Sequence, residues 1–179
     1  MRALGIDPSL RSTGYGVVEE DGAGYRLIEG GVLAPLAGAA FESRLAELSR
    51  GLSEIIAGLR PDVMVIEEVY SRPSHPRTAI LMAHARGALV CAAALARLPV
   101  VDYAATTVKV ALVGRGTASK EQVAAMVVRL LGLRRRPSPA DVTDALALAI
   151  VHLRRNGHRP HAVLERSSTR RSTAGRGKE

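Results

Sequence analysis

The sequence predicts an α/β layered domain built on a mixed five-stranded sheet, with helices on both faces. Three strand-like segments come first, two of them joined by an Asp-Gly turn. A continuous apolar run, Val63 to Ile66, has the character of a central strand buried on both sides. Strands then alternate with long helical segments, the signature of a layered α/β architecture.

Each element has its own warrant. Residues 2–7 read as a strand, 13–20 as a second and 25–34 as a third. "EEDGAG" separates the last two and makes them a hairpin. Over 41–59, Phe41, Leu45, Leu48, Leu52, Ile55 and Ile56 fall on one helical stripe. "RPDVMVIEEVY" supplies the fourth strand. The Ala- and Leu-rich stretch 76–97 is long enough for a helix, and "LPVVDYAA" makes a short fifth strand. Ser119 and Gln122 form a capping-box pattern ahead of Val123, Met126, Val127, Leu130 and Leu131. Ser138 followed by Pro139 starts a last helix, which runs to about Arg155. The predicted order is βββ-α-β-α-β-α-α.

With 179 residues, 47% of them hydrophobic, the chain can bury one substantial core. No apolar run reaches the roughly 18 residues of a membrane helix. The N-terminus lacks a signal-peptide layout, which predicts a cytosolic protein. The single Cys91 sits among alanines and reads as a small core residue. The net charge of +8 is unevenly spread: from Arg154 onward there are eight Lys or Arg against two Glu, and before it seventeen against fifteen. Residues 1–156 are therefore expected to form the domain. Residues 157–179 are expected to form a basic, disordered tail, which either solubilises the chain or binds nucleic acid without sequence preference.

Five acids attract attention because of where they fall. Asp7 ends the first strand, Glu67 and Glu68 end the fourth, and Asp141 and Asp144 share one face of the last helix's first turns. Each also has a purely structural use. Asp141 can close a capping box with Ser138, and both aspartates complement the helix dipole. Glu68 can be a surface charge, and Asp7 can cap the turn at Ser9. Together they suggest more. Two carboxylates about 4 Å apart repel by roughly 1 kcal/mol in water and about 4 kcal/mol at a protein-like dielectric. Four gathered acids call for hard divalent cations such as Mg²⁺ or Mn²⁺. Both faces of the fourth strand look buried, so alternation leaves the choice between Glu67 and Glu68 open.

"GIDPSLRSTGYGVV", "VIEEVY" and "ADVTDALALAIVH" resemble, in that order, three motifs of the RuvC-type Holliday junction resolvases. The likeness continues through "ARGALVCAAA" and "TVKVALVGRGTASKEQV" and covers about residues 2–155. It implies a ribonuclease H-like fold, a homodimer, and metal-dependent hydrolysis of DNA phosphodiesters at four-way junctions. The family pattern Ile-Glu-x-Val-aromatic selects Glu67, so the implied catalytic and metal-holding acids are Asp7, Glu67, Asp141 and Asp144. Some relatives carry His where this chain has Asp141, and the best-known members carry Phe where it has Tyr70.

The resemblance also implies how the acids are used. Two metals about 3.5–4 Å apart can clamp a scissile phosphate. Asp7 would bridge them, Glu67 and Asp144 would complete their spheres, and Asp141 would hold a metal or orient the attacking water. The products would be a 5′-phosphate and a 3′-hydroxyl. Lys109 and Lys120 match basic residues near the family's metal site. Arg72, Arg77 and Arg115 are expected either as backbone contacts or as solvated surface charges, and Tyr70 either stacks on a base unpaired near the crossover or is a core residue with its hydroxyl satisfied. The face Ala79, Ala83, Ala88 and Ala92, with Gly87 allowing close approach, is expected to meet a second copy. Paired, symmetric nicks in recombination and repair, beside a branch-migration complex of the RuvA and RuvB type, complete what the likeness implies. Three other readings compete with this one. An actin-like nucleotide hydrolase would need a second, similar domain, for which this chain is too short. A junction-binding protein without activity would lack an acid, and none is missing. A nuclease for RNA or other branched DNA stays open.

Overall fold

The computed structural model describes residues 1–68 and 76–156. Three N-terminal strands, β1 (Arg2–Asp7), β2 (Thr13–Asp21) and β3 (Gly24–Leu33), form an antiparallel meander. Helix α1 (Phe41–Leu59) then leads to β4 (Val63–Glu67), α2 (Pro76–Leu95) and β5 (Val100–Tyr103). Helices α3 (Ala105–Val113), α4 (Lys120–Leu130) and α5 (Ala140–Asn156) follow. The sheet order is β3-β2-β1-β4-β5, with β4 parallel to both β1 and β5. This is the mixed five-stranded sheet that the sequence predicts.

Two cores flank the sheet. On one face Leu4, Ile6, Met64 and Ile66 meet Leu48 and Leu52 of α1 and Ala85 and Leu89 of α2. On the other, Ala3, Val63 and Val65 meet α3, α4 and above all α5, whose residues from Val142 to Leu153 are buried apart from Asp144. The β2–β3 turn passes through Gly22 at φ 58°, where a side chain would be strained. The Ser119 capping box opens α4 as read from the sequence, with Gln122 N–H donating to Ser119 Oγ at 3.3 Å.

Four expectations need correction. Helix α3 is missing from the predicted order, because "TTVKVALV" is rich in β-branched residues and favours strand. Burial of Val108 and Leu112, four residues apart, overrides that preference, and Gly114 at φ 84° ends the helix. Cys91 is exposed rather than in the core. On α2, Ala92 is buried inside the chain. Ala79 and Ala88 are half-buried, and Ala83 shares the open face with Ile80, His84, Gly87, Cys91 and Leu95, Ile80 being 58% and Leu95 80% exposed. Finally, Arg77–Leu95 is long and apolar enough, by length and composition, to cross a membrane. His84 and Arg86 break its apolar run, which is why no uninterrupted stretch appears in the sequence. Here its inner face is part of the α1–α2 core, and Arg86 pairs with Asp102 of β5.

Tyr70, Arg72 and the tail 157–179 lie outside the described residues.

Candidate active site

Asp7 ends β1 and Glu67 ends β4, and these strands are parallel neighbours with Ile6 level with Ile66. Side chains alternate across a sheet. Since Leu4, Ile6, Met64 and Ile66 all face the α1–α2 core, Asp7 and Glu67 face α5. The register therefore separates Glu67 from Glu68. Glu68 lies just past the strand, and its N–H donates to the Tyr103 carbonyl at 3.0 Å.

The turn after Asp7 is closed without its carboxylate. Ser9 N–H donates to Thr13 Oγ1 at 3.1 Å, and the Thr13 hydroxyl donates back to the Ser9 carbonyl at 2.6 Å. The Ser9 donor that Asp7 could have capped is thus taken by the buried Thr13.

Helix α5 brings the other two acids. It lies on β1 and β2 so closely that a Cβ at Gly5 would be 1.9 Å from the Ala145 carbonyl oxygen. A Cβ at Gly14, which pairs with Asp7 across the β1–β2 ladder, would be 2.2 Å from the Asp141 carbonyl oxygen. Glycine at these positions lets the first turns of α5, with Asp141 and Asp144, descend onto the end of the sheet. The sequence reading missed this role, although glycine inside a strand is a recognised signal of close backbone approach.

The result is a concentration of negative charge. Burial pushes the Asp7 carboxyl from 3.8 up to about 7, and the charges of Glu67, Asp144 and Asp141 push it the same way against Lys120. Burial likewise raises Glu67, with Asp144 adding to the effect while Lys120 and Lys109 oppose it. Lys120 Nζ lies 2.6 Å from Asp144 Oδ2, and that hydrogen bond raises the ammonium's own pKa. A cleft of about 90 Å³ opens here, lined by Glu67, Lys109, Lys120 and Asp144 on its polar side and by Val108, Val123 and Ala147 on its apolar side. Of the predicted cations, Lys109 and Lys120 thus reach the acids. Arg115 is exposed in the α3–α4 loop and Arg77 on the first turn of α2, and neither lines this cleft.

Among the described residues no three Asp, Glu, His or Cys side chains are drawn into a ready-made ion cage. The four acids instead ring the sheet end within electrostatic range, with Lys120 occupying Asp144. Their chemistry still fits hard divalent cations: every donor is a carboxylate oxygen, and the charge on Asp7 is not offset by Lys120 alone.

A sequence profile of the family described as crossover junction endodeoxyribonuclease RuvC matches residues 3–152. A crossover junction endodeoxyribonuclease RuvC from Ralstonia pickettii is 44% identical over 152 residues, 85% of this chain and 83% of the relative. The solved structure of Thermus thermophilus RuvC in complex with Holliday junction substrate superposes with a TM-score of 0.79 at 36% identity, covering 85% of this chain and 92% of that one. A yeast mitochondrial Holliday junction resolvase shares the fold, with a TM-score of 0.64 at 16% identity over 85% of this chain and 77% of that one.

Proposed function

This chain belongs to the RuvC family of crossover junction endodeoxyribonucleases, and we propose that it resolves four-way DNA junctions by paired, symmetric nicks in strands of like polarity. The observation that carries the reading is the half-buried Asp7, beside Glu67, Asp141 and Asp144 at one end of the sheet. Residues 1–156 would be the catalytic domain. Residues 157–179 would be a basic extension that adds sequence-independent attraction for DNA.

Asp7, Glu67 and Asp144 are the residues that would hold the ions, with Asp141 holding an ion or orienting the attacking water. Bound Mg²⁺ or Mn²⁺, two per site, supplies Lewis acidity and activation of water for phosphodiester hydrolysis. Lys109 and Lys120 stand on the open side of the acids and are suited to meet the phosphate as it enters. Arg72, Arg77 and Arg115 extend the backbone contacts, and Tyr70 follows the Glu67 strand closely enough in sequence to stack beside the crossover. Hydrolysis leaves a 5′-phosphate and a 3′-hydroxyl.

Paired nicks need two sites. The exposed face Ile80, Gly87, Cys91 and Leu95 of α2 supports a twofold homodimer, because Gly87 has nothing within 4 Å of an added Cβ and admits a second helix closely. A resolvase of this kind works in the cytoplasm on recombination and repair intermediates, beside a branch-migration complex of the RuvA and RuvB type.

The test is cleavage of a synthetic four-way junction beside linear duplex, with Mg²⁺, with Mn²⁺ and with chelator. Metal-dependent cutting confined to the junction is expected. Cutting of duplex at an equal rate, or cutting that survives chelator, rejects the reading.

A further inference from the structure

Arg134, Arg135 and Arg136 stand in a row between α4 and α5, all three exposed. The site described above makes no use of them. The bridge that carries them is tied at both ends. Gly132, at φ 60°, turns the chain out of α4, and Leu133 N–H donates back to the Val128 carbonyl at 2.9 Å. At the far end the buried Thr143 hydroxyl donates to the Pro137 carbonyl at 3.3 Å, fixing the bridge to the first turns of α5.

Its position relative to the acids follows from the chain. Arg136 precedes Asp141 by five residues, which span at most about 18 Å when extended. That bound corresponds to no more than about five nucleotides along one DNA strand at 3.4 Å each. Arg136 also faces the Lys120 end of α4: the Glu121 carboxyl is held low first by its own backbone N–H and Ser119, and further by both Arg136 and Lys120.

Charge chemistry narrows the ligand. Among the described residues, no ion pair within 4 Å engages any of the three arginines. Adjacent guanidiniums separated by less than a Debye length, about 8 Å at physiological salt, repel one another unless counter-charge is supplied. Arg matches phosphate oxygens bidentately and keeps its charge at any working pH. We propose that Arg134–Arg136 forms a phosphate clamp that grips the backbone of a junction arm flanking the acids, a contact additional to Lys109 and Lys120. This inference rests on the resolvase reading for its ligand.

The experiment uses the full chain in EDTA, so that a fluorescent four-way junction is bound and not cut, with KCl varied from 50 to 200 mM. Each neutralised phosphate contributes a slope of about 0.9 in log K against log salt. The triple variant R134Q/R135Q/R136Q should lose about 1.8 to 2.7 of slope, two to three contacts, and bind at least tenfold more weakly at 100 mM. R134K/R135K/R136K should recover most of the slope. The single variant R135Q, expected to lose about 0.9, serves if the triple variant does not reach the parent's Tm. A slope unchanged to within 0.5 in a folded variant overturns the clamp. Parent protein that cuts junctions with metal while the variant keeps its slope removes the clamp alone. Parent protein that neither binds nor cuts removes the resolvase reading and the clamp with it.

Discussion

A Cβ on Gly14 would lie 2.2 Å from the carbonyl oxygen of Asp141. The contact is backbone to backbone, so no side-chain rotation relieves it. It is also the contact by which α5 delivers its acids to the strand pair that carries Asp7.

Gly14→Ala should therefore lift the first turn of α5. Overpacking of this kind typically costs 1–3 kcal/mol. Because displacement of about 1 Å can cost on the order of 100-fold in rate, cutting should fall far more than stability does. Urea unfolding and junction cleavage measured on the same preparation separate the two. A variant that cuts at the parent rate would show that α5 need not sit so close.

Asp7→Asn should bind junctions and leave them uncut, and it should change how stability depends on pH. In metal-free protein the folded state keeps a proton on Asp7 up to about pH 7, whereas the unfolded chain releases it near 3.8. Stability is thus fully present below pH 3.8, falls as pH rises from there, and levels off above about 7. The fall is at most about 1.4 kcal/mol per pH unit for the one proton. Chemical unfolding in EDTA at pH 5 and pH 8 should show it in the parent and show much less in Asp7→Asn. Equal pH dependence in both proteins would falsify the upward shift assigned to the half-buried Asp7 carboxyl.

Lys120→Met should act in two opposed directions. The ammonium 2.6 Å from Asp144 competes with a cation for that carboxylate. Its loss should lower the half-saturating Mn²⁺ concentration several-fold by calorimetry. Maximal cleavage should nevertheless drop about tenfold, because the incoming phosphate loses a positive partner. Unchanged metal affinity would mean that Asp144 takes no part in holding the ion.

A charge on the open face of α2 should break the proposed dimer. Ile80→Asp with Leu95→Asp changes two residues that are already exposed, so the fold should tolerate both. Sedimentation at micromolar concentration should turn from dimer to monomer, and the paired nicks should become independent. Dimers that persist in the variant, or a monomeric parent, reject this surface.

Sequence by itself determined most of the architecture. The Asp-Gly turn, the stripe over 41–59, the Val63–Ile66 run and the Ser119 box are local signals, and each predicted its element because strand and helix periods are written in nearest neighbours. It also supplied the acids, but only the likeness to a family could choose Glu67 over Glu68. Tertiary structure decided what depends on partners distant in the chain. Alternation needs to know which face is which, and that was settled when Ile66 entered the α1–α2 core and left Glu67 beside Asp7. Helix α3 formed against its β-branched composition because the α5 side of the sheet took Val108 and Leu112. The place of Asp141 and Asp144 rests on glycines in β1 and β2, more than a hundred residues away, whose missing side chains matter only once a helix lies across them.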